Sequence, residues 1–159
     1  MDWRSRERNS SVIYLRRFIY LVSPEKINKN FYAKLDKVLS SNKVFFFQLR
    51  LKRNKRSDVI EKAKLIKKIT KKYNVKFIIN DSAKIAKIVK ADGCHLGQKD
   101  GSISKAKKNL KNKIVGVTCH NSKIFAKYAI NNNADYVAFG SFNNSRLKPK
   151  AKRANLNIL

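Results

Sequence analysis

The sequence predicts a parallel α/β fold. Six short apolar segments recur along the chain, and five amphipathic segments with lysine-rich polar faces alternate with them. A parallel strand pair needs a crossover, and a helix supplies one, so this alternation means a parallel sheet. Pro and Gly are scarce, at 2 and 5, so no linker divides the chain, and its 159 residues suit one domain.

Residues 1–17 (MDWRSRERNSSVIYLRR) show no clear period and are expected to form a loose extension. The first strand is expected over 18–22, before Ser23-Pro24, and the first helix over 30–39. A second strand spans 44–51, and its apolar start, VFFF, reads as buried on both faces. The helix over 57–73 repeats Val59, Ala63, Ile66, Ile69 and Tyr73 at intervals of three or four. Strands then follow over 75–80, 92–97, 114–118 and 136–140, separated by helices over 82–89, 102–110 and 122–131. Ser57, Ser82 and Ser102 suit N-caps, and Asn74 and Asn131 suit helix stops.

Charge is the next constraint. Lys and Arg number 38 against 10 acids, for a formal charge of +28. Such a chain attracts polyanions. However, 28 of the cations are Lys, and they accompany 17 Asn and 15 Ile, a pattern of compositional drift across solvated helix faces. Phosphate readers favour Arg, so no specific nucleic acid is expected. No apolar run approaches the ~20 residues that span a bilayer, and no secretory signal opens the chain. Two cysteines, Cys94 and Cys119, are too few for a disulfide framework and suit a reducing, cytoplasmic setting. Each precedes a histidine, His95 or His120, but neighbours on a strand point to opposite faces, so a four-ligand zinc site is not expected.

The few acids are more informative. Asp92 and Asp135 stand at strand starts and read as turn residues. Asp81 (FIIND) and Asp100 (CHLGQKD) follow the C-terminal ends of adjacent strands, where parallel α/β folds place their chemistry. Two carboxylates there suit Mg²⁺, which takes oxygen ligands and is shared with substrate phosphates. Each also precedes a helix and would suit capping it. In FFFQLRLK, the period of two puts Gln48, Arg50 and Lys52 on one face, a cradle fit for a diphosphate. Thr118 and His120 share a face by the same parity, and either could touch substrate. Ser145 and Lys148, after the sixth strand, could add phosphate contacts or form a solvated loop. Neither a Rossmann fingerprint nor a P-loop follows any strand.

In order, FIYLVSP, QLRLK, FIIND, ADGCHLGQKD, GVTCH and ADYVAFG resemble the motifs of the thiamine-phosphate synthase family and its relatives, the thiazole tautomerases. The resemblance covers residues 18–159. It implies a (β/α)₈ barrel of TIM type, here incomplete, with about six parallel strands and five to six helices. Further, it implies a transferase that joins hydroxymethylpyrimidine diphosphate to thiazole phosphate, giving thiamine phosphate and diphosphate. The implied course is dissociative, so the protein must stabilise charge on the leaving diphosphate. By motif, Gln48, Arg50, Lys52 and Asn80 would contact the pyrimidine diphosphate, and Asp81 and Asp100 would hold Mg²⁺. Thr118 would lie near the substrate, and Lys148, with Ser145 beside it, would bind diphosphate; Arg50, Lys52 and Lys148 would carry catalysis.

The pattern departs from the family in two places. Leu147 stands where the phosphate loop has a second threonine. Against an eight-strand unit of about 200 residues or more, the chain is expected to lack the seventh and eighth strands, with the Gly-rich turn that holds the thiazole phosphate. Open edges are then expected, for a second copy or a complementing C-terminal fragment. The alternatives are a thiazole tautomerase with His120 as its acid/base group, a non-catalytic degenerate homologue, and a basic RNA-associated domain.

Overall fold

A computed structural model describes residues 18–143 and 153–159. Within them, β1 (Ile19–Val22), α1 (Lys29–Leu39), β2 (Val44–Leu49), α2 (Arg56–Lys72), β3 (Lys76–Asn80), α3 (Ala83–Ile88), β4 (Gly93–Leu96), α4 (Ile103–Leu110), β5 (Ile114–His120), α5 (Lys123–Asn131) and β6 (Tyr136–Phe139) alternate without exception. A 3₁₀ turn, Leu156–Ile158, follows. Every strand pairs in parallel with the next, in the order β1 to β6. The sheet curves into part of a barrel. Among the described residues β1 and β6 have one paired neighbour each. None of the described helices is long and apolar enough to cross a membrane.

Strand alternation sorts the side chains into two layers. Phe47, Leu49, Phe77, Ile79, Cys94, Leu96, Val115, Val117 and Cys119 face the helices and form the larger core. Burying each large apolar side chain there contributes about 1.5–3 kcal/mol. The concave side holds a smaller cluster of Phe46, Ile78 and Ile114, packed by Tyr20 and Tyr136. Cys94 therefore faces the helices while its neighbour His95 faces the concave side, as their adjacency requires.

Local chemistry moves several boundaries. β2 ends at Leu49, so Arg50, Leu51 and Lys52 lie in the loop that follows it. Ser23, from the end of β1, takes over the pairing: its N–H donates to the Gln48 carbonyl at 2.9 Å, and its Oγ accepts from the Arg50 N–H at 2.9 Å. Ser82, Ser102 and Ser122 cap α3, α4 and α5. Ser57 does not cap α2, which begins after Lys55; its hydroxyl turns to the Asp58 carboxylate instead. Asn74 ends α2 in the left-handed region as expected (φ 54°). After α5 that conformation falls on Asn133 (φ 62°), with Asn131 still helical. Asn tolerates it because its short amide bonds locally.

Asp92 and Asp135 are clasps between strands. Each carboxylate accepts the first free N–H of a neighbouring strand at 2.8 Å, from Phe77 and Val115 respectively. Asp135 is also ion-paired with Lys107 at 2.7 Å, its side chain only 3% exposed.

Gly116 on β5 decides how β6 packs. A Cβ there would run into the hydroxyl end of the Tyr136 ring. Gly116→Ala should therefore push the ring outward and lower stability by about 1–3 kcal/mol, the usual cost of overpacking. Denaturant unfolding measures this, and an unchanged midpoint would mean that Tyr136 does not occupy that space.

Candidate functional site

The C-terminal ends of the strands form the mouth of the partial barrel, where Lys52, Asn80, Asp81 and Asp100 come together. An open groove of about 290 Å³ is lined by Lys52, Asn80 and Asp81, with Leu49, Asn54 and Arg56. The Lys52 ammonium lies 3.2 Å from Asp81. Asp81 is held by its backbone. It adopts φ 63°, and its N–H donates to the His95 carbonyl at 2.7 Å, tying β3 to β4.

Asp100 arrives from the loop after β4. Its Oδ2 accepts from the Gly97 N–H at 2.7 Å. Gly97 permits this approach, because a Cβ there would sit 2.7 Å from the same oxygen. The Asp100 and Asp81 carboxyls are in hydrogen-bonding contact. Burial, then the hydrogen bond and charge of Asp81, push the Asp100 carboxyl above the usual carboxylate range; the Gly97 N–H and Lys52 oppose the shift. Capping does not explain either carboxylate, since the serine after Asp81 and the serine two residues after Asp100 do that work. The pair is left facing each other, and such a pair suits a divalent cation completed by water or phosphate oxygens. Among the described residues no three His, Cys, Asp or Glu side chains gather as a metal site.

Gln48, Arg50 and Lys52 do not form the single stripe that their spacing suggests. Gln48 is 5% exposed and turned inward, and its Nε2 donates to the Tyr20 hydroxyl at 3.1 Å. Arg50 is half-buried in the loop, and Lys52 is directed to Asp81. The strand has already ended, so alternation cannot align the three. A bulge separates Thr118 from His120, and His120 adopts φ 50°, so parity no longer fixes their relation either. Ser145 and Lys148 lie outside the described residues.

Three residues were not singled out from the sequence. The Tyr20 hydroxyl meets the Tyr136 hydroxyl at 2.7 Å, Tyr136 meets His95 Nδ1 at 2.9 Å, and His95 Nε2 meets Thr118 Oγ1 at 2.7 Å. The His95 and Tyr136 rings stack at 5.5 Å. Burial drops the His95 pKa to about 4 and raises both tyrosines. The available signal was parity: Tyr20, Gln48, His95, Thr118 and Tyr136 all fall on the inward register of their strands.

The model of the family described as thiamine monophosphate synthase matches residues 19–159. A thiamine-phosphate synthase of Pelagibacter ubique is 54% identical over 145 residues, covering 91% of this chain and 70% of that protein. One from Erythrobacter litoralis is 38% identical, covering 89% and 68%. The solved structure of thiamine phosphate pyrophosphorylase from Pyrococcus furiosus superimposes with a TM-score of 0.76 at 25% identity, covering 88% of this chain and 66% of that one. The chain thus spans about two thirds of the length of these proteins.

The carboxylate pair has a measurable cost. Folding raises the Asp100 pKa, so its contribution to stability is fully present at acid pH and is lost as pH rises through the folded-state value. Asp100→Asn keeps an acceptor for Gly97 but carries no charge. Without divalent cations, its melting temperature should match the unsubstituted chain's at acid pH and exceed it at neutral pH, by about 2–4 °C for each ~1 kcal/mol relieved. Calorimetry at the two pH values checks this, and a lower value for the substituted chain at neutral pH would contradict it.

Proposed function

The chain belongs to the thiamine monophosphate synthase family, and on that premise we propose that it couples hydroxymethylpyrimidine diphosphate to thiazole phosphate with Mg²⁺ in the barrel mouth. The observation that carries this reading is the convergence of Lys52, Asn80, Asp81 and Asp100 at the C-terminal ends of adjacent strands, beside inward-facing Gln48. In the reaction the C–O bond to diphosphate breaks, and its electron pair leaves with the oxygen. The thiazole nitrogen lone pair then forms the new C–N bond, giving thiamine phosphate and free diphosphate.

Catalysis of such a step consists of stabilising the leaving charge. Asp81 and Asp100 would hold Mg²⁺, which supplies neutralisation of the diphosphate oxygens when bound. Lys52, close to Asp81, is placed to meet the same oxygens, and Arg50 can grip phosphate through two N–H groups. Lys148 and Ser145 would complete the phosphate contacts. Gln48, Asn80 and Thr118 orient the pyrimidine. The concave wall of Phe46, Tyr20 and Tyr136 limits water around the reacting carbon. A tautomerase has no need of the paired carboxylates, which favours the synthase.

The sides of β1 and β6 that have no paired strand among the described residues are where a second copy or a complementing C-terminal fragment would add strands. The two free, buried cysteines suit a reducing cytoplasm.

The test is formation of thiamine phosphate from the two substrates and Mg²⁺, with the chain alone and with a C-terminal fragment of a relative. Product should form in at least one arm and vanish with chelator. Arg50→Ala should lower kcat by about 10²–10³-fold, the usual loss of one donor to developing charge. Mg²⁺ at about a hundredfold its Kd should add ~2.7 kcal/mol of stability, and Asp81→Asn should abolish that gain. No product in either arm would refute the activity, and an undiminished Mg²⁺ gain would refute the metal assignment.

A further inference from the structure

Five polar side chains from five strands form one continuous file across the concave face: Gln48 (β2), Tyr20 (β1), Tyr136 (β6), His95 (β4) and Thr118 (β5). Each link alone has an ambiguous direction, except the first. A side-chain amide nitrogen only donates, so Tyr20 must accept from Gln48 Nε2.

The remaining directions follow by exclusion. Having accepted, Tyr20 has its own hydrogen to place, and the Tyr136 oxygen at 2.7 Å is its acceptor. Tyr136 then donates to His95 Nδ1, which must be the unprotonated nitrogen. The single ring hydrogen sits on Nε2 and goes to Thr118 Oγ1. Thr118, having accepted, has its hydroxyl hydrogen left for an acceptor in the mouth of the barrel. In the reverse order Tyr20 would accept from both Gln48 and Tyr136, and among the described residues its hydroxyl hydrogen would have no protein acceptor in exchange. A doubly protonated His95 fails for the same reason, since it would force Tyr136 to donate back to Tyr20.

We propose that Tyr20, Tyr136 and His95 are positioning residues that transmit one hydrogen-bond direction from Gln48 to Thr118, holding His95 as its Nε2–H tautomer and presenting the Thr118 hydroxyl hydrogen to a hydrogen-bond-accepting atom of the substrate. The last clause rests on the proposed function; the tautomer does not. The file explains why a histidine lies at the centre of an otherwise apolar strand, GCHL. A neutral imidazole accepts on one edge and donates from the other.

The chain contains two histidines, His95 and His120, which makes the test direct. Long-range ¹H–¹⁵N correlation spectra of the full ligand-free chain at neutral pH, labelled at histidine nitrogen, distinguish the tautomers. His120→Gln assigns the signals. His95 should show the Nε2–H pattern alone; an Nδ1–H pattern, a mixture of the two or a doubly protonated ring would overturn the file. In Gln48→Glu at mildly alkaline pH, the carboxylate can only accept. Every link should then reverse, and His95 should switch to Nδ1–H. Retention of Nε2–H in that variant would also overturn the proposal. If the variant does not fold, the tautomer of the unsubstituted chain decides alone. Because the spectra need no substrate, an Nε2–H result in a chain that forms no product would support the file while refuting the activity.

Discussion

The hydroxyl contact between Tyr20 on β1 and Tyr136 on β6 spans the two edges of the sheet across its concave face. A six-stranded sheet with no pairing between its first and last strands could lie much flatter. Here two tyrosine rings, with Phe46 between them, fill the space that curvature would otherwise leave empty. Gly116 is part of the same constraint, because its missing side chain is the room that the Tyr136 ring occupies. With the curvature set, the C-terminal ends of β2, β3 and β4 converge, and the polar groups after them come within reach of one ligand.

The mouth of the barrel illustrates a division of labour between adjacent residues. Serine hydroxyls satisfy the helix N-termini. The nearby aspartates are thereby spared that task, and their backbones are pinned by His95 and Gly97. Two carboxylates held together are not a stabilising arrangement by themselves; burial first, and then Asp81, push the Asp100 carboxyl upward. Lys52 relieves part of the repulsion.

Legibility in the sequence varied with how local each cause was. Asp81 and Asp100 stand out in the sequence because acids are rare here and each lies in the segment just after a strand. Asp92 and Asp135 were likewise readable as strand-start residues, though not as clasps on particular N–H groups. The stripe of Gln48, Arg50 and Lys52 misled because alternation was extended to Lys52, past the end of β2 at Leu49, where Ser23 replaces the ladder. Tyr20 and Tyr136 carry no signal beyond their place in strand runs, and His95 reads only as half of a Cys-His pair.

By itself the sequence determined the parallel α/β order, the inward or outward side of most strand residues, and the caps at Ser82 and Ser102. These depend on periodicity and on contacts three or four residues apart. Only the tertiary structure decided which inward residues touch. The file from Gln48 to Thr118 joins positions up to 116 apart in the chain, and its members meet because of sheet curvature and the room over Gly116. Neither property belongs to any one segment, so neither could be read from one.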